Sequence, residues 1–85
     1  MPQIIVYSGA NCPYCVRAKQ LLQHKKAAFT EIDVRADPAA LEEMLAKSHG
    51  RQTIPQIFID DKHIGGCDDL YALDRAGQLD PLLQT

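Results

Sequence analysis

Short β-type runs alternate with helical patterns along this chain, and that alternation restricts the fold more than any other feature. Residues 3–8, QIIVYS, form an apolar run typical of a strand buried on both faces. From Pro13 to about Lys26 the apolar positions follow a helical period, and its inward face carries Cys15, Ala18, Leu21 and Leu22. Residues 29–34, FTEIDV, are rich in β-branched side chains and predict a second strand. A strand, a helix and a strand in this order predict a right-handed parallel unit.

A second helix and a hairpin are expected next. Asp37 and Pro38 supply an N-cap and a proline at the first helical position, and the helix should end near Gly50. Its apolar stripe consists of Leu41, Met44 and Leu45. Residues 56–60 and 62–66 then have the pattern of a β-hairpin that turns at Asp60-Asp61.

A third helix and a terminal turn complete the predicted elements. Asp68 is expected to cap the helix and Gly77 to end it, and Asp80-Pro81 opens the turn. The element order βαβ-α-ββα predicts one α/β domain over residues 1–85. Its core should be a four-stranded mixed sheet with helices on both faces.

The charge and the lack of long apolar stretches exclude several classes of partner. Nine basic and eleven acidic side chains give a net charge of -2, without the basic block that binds nucleic acid or anionic lipid. No stretch approaches the roughly 20 apolar residues of a membrane-spanning helix, and the start, MPQIIVYSG, lacks the pattern of a secretory signal. Three cysteines are too few for a disulfide-stapled secreted protein. We therefore expect a cytosolic protein that binds neither nucleic acid nor membranes.

Two cysteines in the run NCPYC, residues 11–15, stand at the start of the first predicted helix. We expect Cys12 at the N-cap, Pro13 at the first helical position and Cys15 one turn inside. Free N–H groups and the helix dipole stabilise an anion there, so the pKa of Cys12 should lie well below the usual value of about 8.5. Cys15 faces inward and should remain a thiol. The arrangement predicts a reversible thiol–disulfide exchange couple.

A zinc site and simple packing are the alternative interpretations of the cysteine pair. A closed zinc site needs two further ligands at chelating spacing. The remaining candidates, Cys67, His24, His49 and His63, form neither a second CxxC nor an HxxxH pattern. Inert packing does not account for a proline between two cysteines at a helix start. We therefore expect no metal site.

Three segments, in this order, carry a resemblance to a known family: CPYC at 12–15, TIPQIFI at 53–59 and GGCDDL at 65–70. They resemble a dithiol glutaredoxin of the small bacterial type, in the thioredoxin superfamily, over essentially the whole chain. The resemblance implies a thioredoxin-like fold and a glutathione-dependent thiol–disulfide oxidoreductase. Such an enzyme reduces protein disulfides and glutathione mixed disulfides, with Cys12 as nucleophile and Cys15 as resolving thiol. Glutathione is then a co-substrate, and no tightly bound cofactor is expected.

The same resemblance implies a glutathione site. Family members carry a cis-proline at the position of Pro55, where the backbone of Ile54 would pair with a peptide as an added strand. The helix start after Gly66 would bind the α-carboxylate of the γ-glutamyl group through the N–H groups of Cys67 and Asp68. The full set of implied contacts is Tyr14, Thr53, Ile54, Pro55, Gly66, Cys67, Asp68 and Asp69.

The chain departs from the family pattern at Gly9, where similar proteins usually carry a lysine. Arg51, Gln52 and Arg17 are the candidates to replace that lysine beside the glycyl carboxylate of glutathione. Cys67 is expected to contribute backbone contacts and no catalytic thiol, because two-electron exchange needs only two thiols.

Three other functions stay open at this point. A thioredoxin-like electron donor would usually carry Trp before its cysteine pair, and this chain contains no Trp. An iron–sulfur carrier would use Cys12 and glutathione as cluster ligands in a dimer, although Pro13 stiffens that loop. A peptide-binding adaptor would need no acidic thiol. The glutaredoxin-like interpretation instead expects a monomer whose partners are glutathione and proteins with disulfides or glutathionylated cysteines.

Overall fold

Four strands and three long helices follow one another in the predicted order, and a short fourth helix replaces the predicted terminal turn. The computed structural model describes residues 2–84; Met1 and Thr85, the ends of the predicted domain, lie outside the described residues. None of the helices in that part of the chain is long and apolar enough to cross a membrane. The elements are β1 (Ile4–Ser8), α1 (Pro13–His24), β2 (Thr30–Asp33), α2 (Pro38–Lys47), β3 (Gln56–Ile59), β4 (Lys62–Gly65), α3 (Cys67–Arg75) and α4 (Leu79–Leu83).

The strands form one mixed sheet in the order β2-β1-β3-β4. β1 pairs in parallel with β2 and antiparallel with β3, so Val6 lies between Glu31 and Ile57. β3 and β4 form the predicted hairpin, and both residues of its turn, Asp60 and Asp61, have positive φ angles of 49° and 66°. Two residues with positive φ give a turn that matches the twist of the strands it joins. The predicted four-stranded mixed sheet is confirmed.

Two hydrophobic clusters cover the two faces of the sheet. Alternate residues of a strand point to opposite faces, and β1 and β3 therefore contribute to both clusters. On one face Val6 and Ile57 pack with Leu22 of α1 and Leu70 of α3. On the other face Tyr7 and Phe58 pack with Ala40 and Met44 of α2. The predicted layers are thus confirmed: α1 and α3 lie on one side of the sheet and α2 on the other.

The prediction that Asp68 caps α3 is wrong. The N-cap is Gly66, and the helix begins at Cys67. Gly65 has a φ of 118°, which turns the chain before Gly66. The backbone N–H of Gly66 then donates to Oδ2 of Asp69 at 2.9 Å. The carboxylate of Asp69, in the first turn, therefore accepts from the N–H of the N-cap residue. The helix consequently begins before Asp68, the residue that was predicted to cap it.

The second helix also differs from its prediction in two details. α2 ends at Lys47 because Ser48 is its C-cap and the following residues, His49 and Gly50, both have positive φ. Its buried residues are Ala40 and Met44, whereas Leu41 is 36% exposed. The stripe predicted to start at Leu41 is therefore displaced by one residue at its N-terminal end.

We predict that Leu70→Ala destabilises the protein far more than Leu41→Ala. Leu70 is fully buried between α3 and the sheet, so its truncation should lower the free energy of unfolding by about 2–5 kcal/mol. Leu41 sits in a helix but is partly exposed, and the matched change should cost less than about 1 kcal/mol. Urea unfolding of both variants in the same redox buffer measures the difference. Equal losses would contradict the placement of α3 over the core.

Candidate active site

Cys12 occupies the N-cap of α1, as the sequence predicts. It has extended backbone angles, and the backbone N–H of Cys15 donates to its Sγ at 3.2 Å. Pro13 follows at the first helical position, where no intrahelical N–H bond is required. The sulfur therefore stands at the positive end of the helix dipole and accepts one of the N–H groups that a helix start leaves unpaired.

The two cysteines of the pair are joined by a disulfide. Their Cα atoms are 5.2 Å apart, a separation that allows the bond to form without moving the backbone. Cys12 is 8% exposed and Cys15 is 1% exposed, so the first sulfur is the accessible one. The prediction that Cys15 faces inward is confirmed, since it is a buried residue of α1.

The segment before β3 lies against Cys12. Ile54 and Pro55 are joined by a cis peptide bond, as the resemblance implies. The carbonyl oxygen of Ile54 lies 3.9 Å from the Sγ of Cys12. The sheet order explains this contact, because β1 and β3 are neighbours and the residues that follow β1 face those that precede β3.

A groove of about 340 Å³ runs between the start of α1, the segment 53–55 and the start of α3. We call it the substrate groove. All eight contacts that the resemblance implies for glutathione line it, and Arg51 lines it as well. Tyr14 is 56% exposed at its edge. Three separate parts of the sequence thus converge in one groove, and one of its residues, Ile54, also approaches the sulfur of Cys12.

Charged side chains close the α3 end of the substrate groove. Asp69 accepts from the Gly66 N–H and also pairs with Nη1 of Arg51 at 3.4 Å. Asp68 is exposed and neighbours the first-turn N–H groups of α3. The two carboxylates therefore differ in their surroundings: Asp69 is bound to the protein, and Asp68 faces solvent.

Cys67 lines the same groove but is not an acidic thiol. It is 4% exposed, and burial raises the pKa of its thiol above the usual value, with Asp68 acting in the same direction and Arg17 in the opposite one. Desolvation of the sulfur therefore outweighs its position at the start of a helix. Cys67 is consequently held as a neutral thiol, unlike a nucleophile.

A buried hydrogen-bond chain behind the groove was not indicated by any sequence motif. The side chain of Gln56 is fully buried, and its Nε2 donates to the carbonyl oxygen and hydroxyl of Thr53 at 2.9 and 3.2 Å. Its Oε1 lies 2.7 Å from Nε2 of His63. Because Gln56 uses its amide N–H groups on Thr53, its oxygen is the acceptor and His63 donates. Burial and the charges of Arg51 and His49 lower the pKa of His63. The one sequence signal was a glutamine inside an otherwise apolar strand.

The proposed substitutes for a lysine at position 9 lie in different places. Arg51 lines the substrate groove. Gln52 lies outside it, in a separate groove of about 390 Å³ with Arg35 and Ile54. The guanidinium of Arg17 lies over the ring of Tyr71, 5.4 Å from its centroid. Arg35, which no pattern pointed to, is the cation that contacts Gly9.

A second groove, of about 550 Å³, lies between residues 9–13 and β2, and Cys12 lines it. It is larger than the substrate groove, but its charged residues Lys19 and Glu31 pair with each other at 2.8 Å. Within residues 2–84, no group of three or more His, Cys, Asp or Glu side chains is arranged to hold a metal ion.

Comparison with known proteins places this site in a family. The sequence matches the family model for glutaredoxin over residues 4–64. Glutaredoxin 3 of Escherichia coli strain K12 is 55% identical over 84 residues, which cover 99% of this chain and 100% of that protein.

Solved structures agree in sequence and in fold. The solution structure of glutaredoxin from Brucella melitensis is 55% identical with a TM-score of 0.85, covering 98% of this chain and 89% of that one. The crystal structure of a buckwheat glutaredoxin–glutathione complex is 35% identical with a TM-score of 0.86, covering 98% of this chain and 77% of that one. The cysteine pair at the start of α1, the sheet order and these similarities together show that this chain belongs to the glutaredoxin family of thiol–disulfide oxidoreductases.

Proposed function

We propose that this oxidoreductase uses glutathione to reduce protein disulfides and glutathione mixed disulfides through Cys12 and Cys15. The observation that carries the proposal is the substrate groove, in which three distant segments meet next to the sulfur of Cys12. The structure of a similar buckwheat protein in complex with glutathione supports the same assignment. We further propose that the protein acts as a cytosolic monomer.

Glutathione would lie along the groove from Ile54 to the start of α3. The backbone of Ile54, which approaches Cys12, would pair with the cysteinyl part of the tripeptide. The first-turn N–H groups of Cys67 and Asp68 would bind the α-carboxylate, because a helix leaves such groups without intrahelical acceptors. The exposed carboxylate of Asp68 would accept from the γ-glutamyl ammonium. This orientation places the glutathione sulfur at Cys12.

Deglutathionylation then needs one protein thiol. The thiolate of Cys12 attacks the glutathione sulfur of a mixed disulfide, the Cys12–glutathione bond forms, and the target protein leaves as a thiolate. A second glutathione thiolate attacks the glutathione sulfur of that bond, which yields oxidised glutathione and restores the thiolate of Cys12. The oxidised glutathione thus joins one free glutathione to the glutathionyl group taken from the target, and the target cysteine leaves reduced.

Reduction of a protein disulfide needs both cysteines. Cys12 attacks one sulfur of the target and releases the other as a thiolate, and Cys15 then attacks Cys12 and releases the second. The Cys12–Cys15 disulfide seen in the structure is the product of that step. Two glutathione molecules return the pair to its dithiol form.

The main benefit of a low pKa at Cys12 is that its thiolate becomes a good leaving group. Lowering the pKa from about 8.5 to about 5 raises the thiolate fraction at pH 7 roughly thirtyfold, but a Brønsted slope of about 0.5 reduces nucleophilicity by a comparable or larger factor. Attack by Cys12 therefore gains little. A stabilised thiolate is a good leaving group, so the Cys12–glutathione disulfide, from which Cys12 departs, is resolved quickly.

We predict that Cys12→Ser abolishes both activities, whereas Cys15→Ser keeps deglutathionylation and loses reduction of protein disulfides. The measurement couples each reaction to glutathione and glutathione reductase, with a glutathionylated protein or a protein disulfide as substrate.

Cys67→Ser is the matched control and should retain both activities, because its neutral thiol is not needed. A Cys15→Ser variant without deglutathionylation activity would contradict the division of roles. Faster turnover with thioredoxin and its reductase than with glutathione would overturn the proposed reductant.

We also predict that Asp68 and Asp69 separate binding from stability. Asp69→Ala removes the acceptor of the Gly66 N–H and should lower the free energy of unfolding by about 0.5–2 kcal/mol. Asp68→Ala should change it by less than about 0.5 kcal/mol but raise KM for glutathione about three- to tenfold, because the ammonium loses a charged acceptor. Urea unfolding and glutathione kinetics measure the two effects. An unchanged KM in Asp68→Ala would show that the γ-glutamyl ammonium binds elsewhere.

A further inference from the structure

Arg35 lies across Gly9 and fills the space of a side chain at that position. A Cβ atom added to Gly9 would stand 2.7 Å from Cδ and 2.9 Å from Cγ of Arg35. The φ angle of Gly9 is outside the positive range, so the backbone itself does not demand glycine there. A side chain at this position would therefore have to displace the arginine stem.

The head of Arg35 holds the loop that leads to Cys12. Its Nη1 donates to the carbonyl oxygen of Ala10, two residues before the cysteine. The backbone of Arg35 is held as well, because its N–H donates to Oδ1 of Asp33 at 2.9 Å. The side chain therefore spans from the end of β2 to the loop between β1 and α1.

The other cations around Cys12 already have partners. Lys19 pairs with Glu31 at 2.8 Å, Arg51 pairs with Asp69 at 3.4 Å, and Arg17 lies over Tyr71. Within residues 2–84, Arg35 forms no ion pair with a carboxylate. The remaining ionisable groups that line the two grooves beside Cys12 are Asp33, Asp68, Tyr14 and Cys67.

We infer that Gly9 and Arg35 act as a pair that fixes the loop in front of Cys12 and brings to that loop a guanidinium without a carboxylate partner, which favours the Cys12 thiolate. Arg35 is thus a positioning residue that acts through the loop and through its charge. The inference rests on the proposed exchange function and adds to it a residue that lies outside the three segments 12–15, 53–59 and 65–70.

The test is the pH dependence of Cys12 alkylation in the reduced protein, followed by mass spectrometry. Arg35→Met keeps the apolar stem and loses the charge and the donor. We expect its alkylation midpoint to rise by about 0.3–0.5 pH unit, because the thiolate loses one positive charge within a Debye length. The alkylation rate below the midpoint should fall about two- to threefold, since a smaller fraction of Cys12 is then ionised. Arg35→Lys keeps the charge and should show less than half of that rise. Arg75→Met removes an exposed arginine at the end of α3 and should leave the midpoint unchanged.

Gly9→Ala tests the pairing itself. The new Cβ should displace the arginine stem and raise the midpoint in the same direction. The double variant Gly9→Ala/Arg35→Met should show no larger rise than Arg35→Met alone, because both changes break one contact. Additive effects, or a midpoint that Arg35→Met leaves unchanged while only the thermal stability falls, would overturn the inference. Glutathione-coupled turnover of the unmodified protein is measured in parallel: its absence would refute the proposed function, whereas normal turnover with unchanged midpoints would refute only the role of Arg35.

Discussion

One backbone N–H in the first turn of α1 donates to the sulfur of Cys12, and the proposed exchange chemistry depends on that contact. The donor is the backbone of Cys15, one turn into the helix, so the geometry holds as long as the first turn is intact. Pro13 prepares that turn, and Leu21 and Leu22 anchor the rest of α1 on the sheet. The buried packing of α1 therefore fixes a polar contact at its end. Since the first strand and the third strand are neighbours, the same packing brings Ile54 to the sulfur.

Cys12 and Cys67 show that a helix start alone does not decide the state of a thiol. Both stand within the first positions of a helix. The sulfur of Cys12 accepts an N–H bond and Cys12 borders one open groove, and both features favour a charged thiolate. Cys67 is packed among core residues, and burial raises the pKa of its thiol. The two cysteines therefore differ in their contacts: Cys12 accepts a first-turn N–H bond, whereas Cys67 is a buried free thiol.

Much of the fold could be predicted because its signals are local. Cys12-Pro13 and Asp37-Pro38 mark the starts of two helices, and the apolar periods identify the strands and the covered faces. The start of α3 was misplaced because its cap is a glycine, served by a carboxylate three residues later. The motif residues of the proposed glutathione site were identified through the family resemblance, and the fold brings them to one groove. Arg35 was not predicted because its contact with Ala10 joins segments 25 positions apart, which no local pattern encodes. Gln56 and His63 lie on the two strands of the predicted hairpin, but their contact depends on the strand register, which the sequence pattern did not fix.

The proposed exchange chemistry requires Cys12 to be ionised at neutral pH, and a direct titration tests this requirement. The measurement follows the ultraviolet absorbance of the thiolate against pH in a reduced Cys15→Ser/Cys67→Ser variant, in which Cys12 is the remaining thiol. We expect a midpoint well below the value of about 8.5 for an unperturbed cysteine. A midpoint at or above about 8.5 would mean that the helix start does not stabilise the anion. Cys12 would then not be a thiolate at neutral pH, and the proposed exchange chemistry would be wrong.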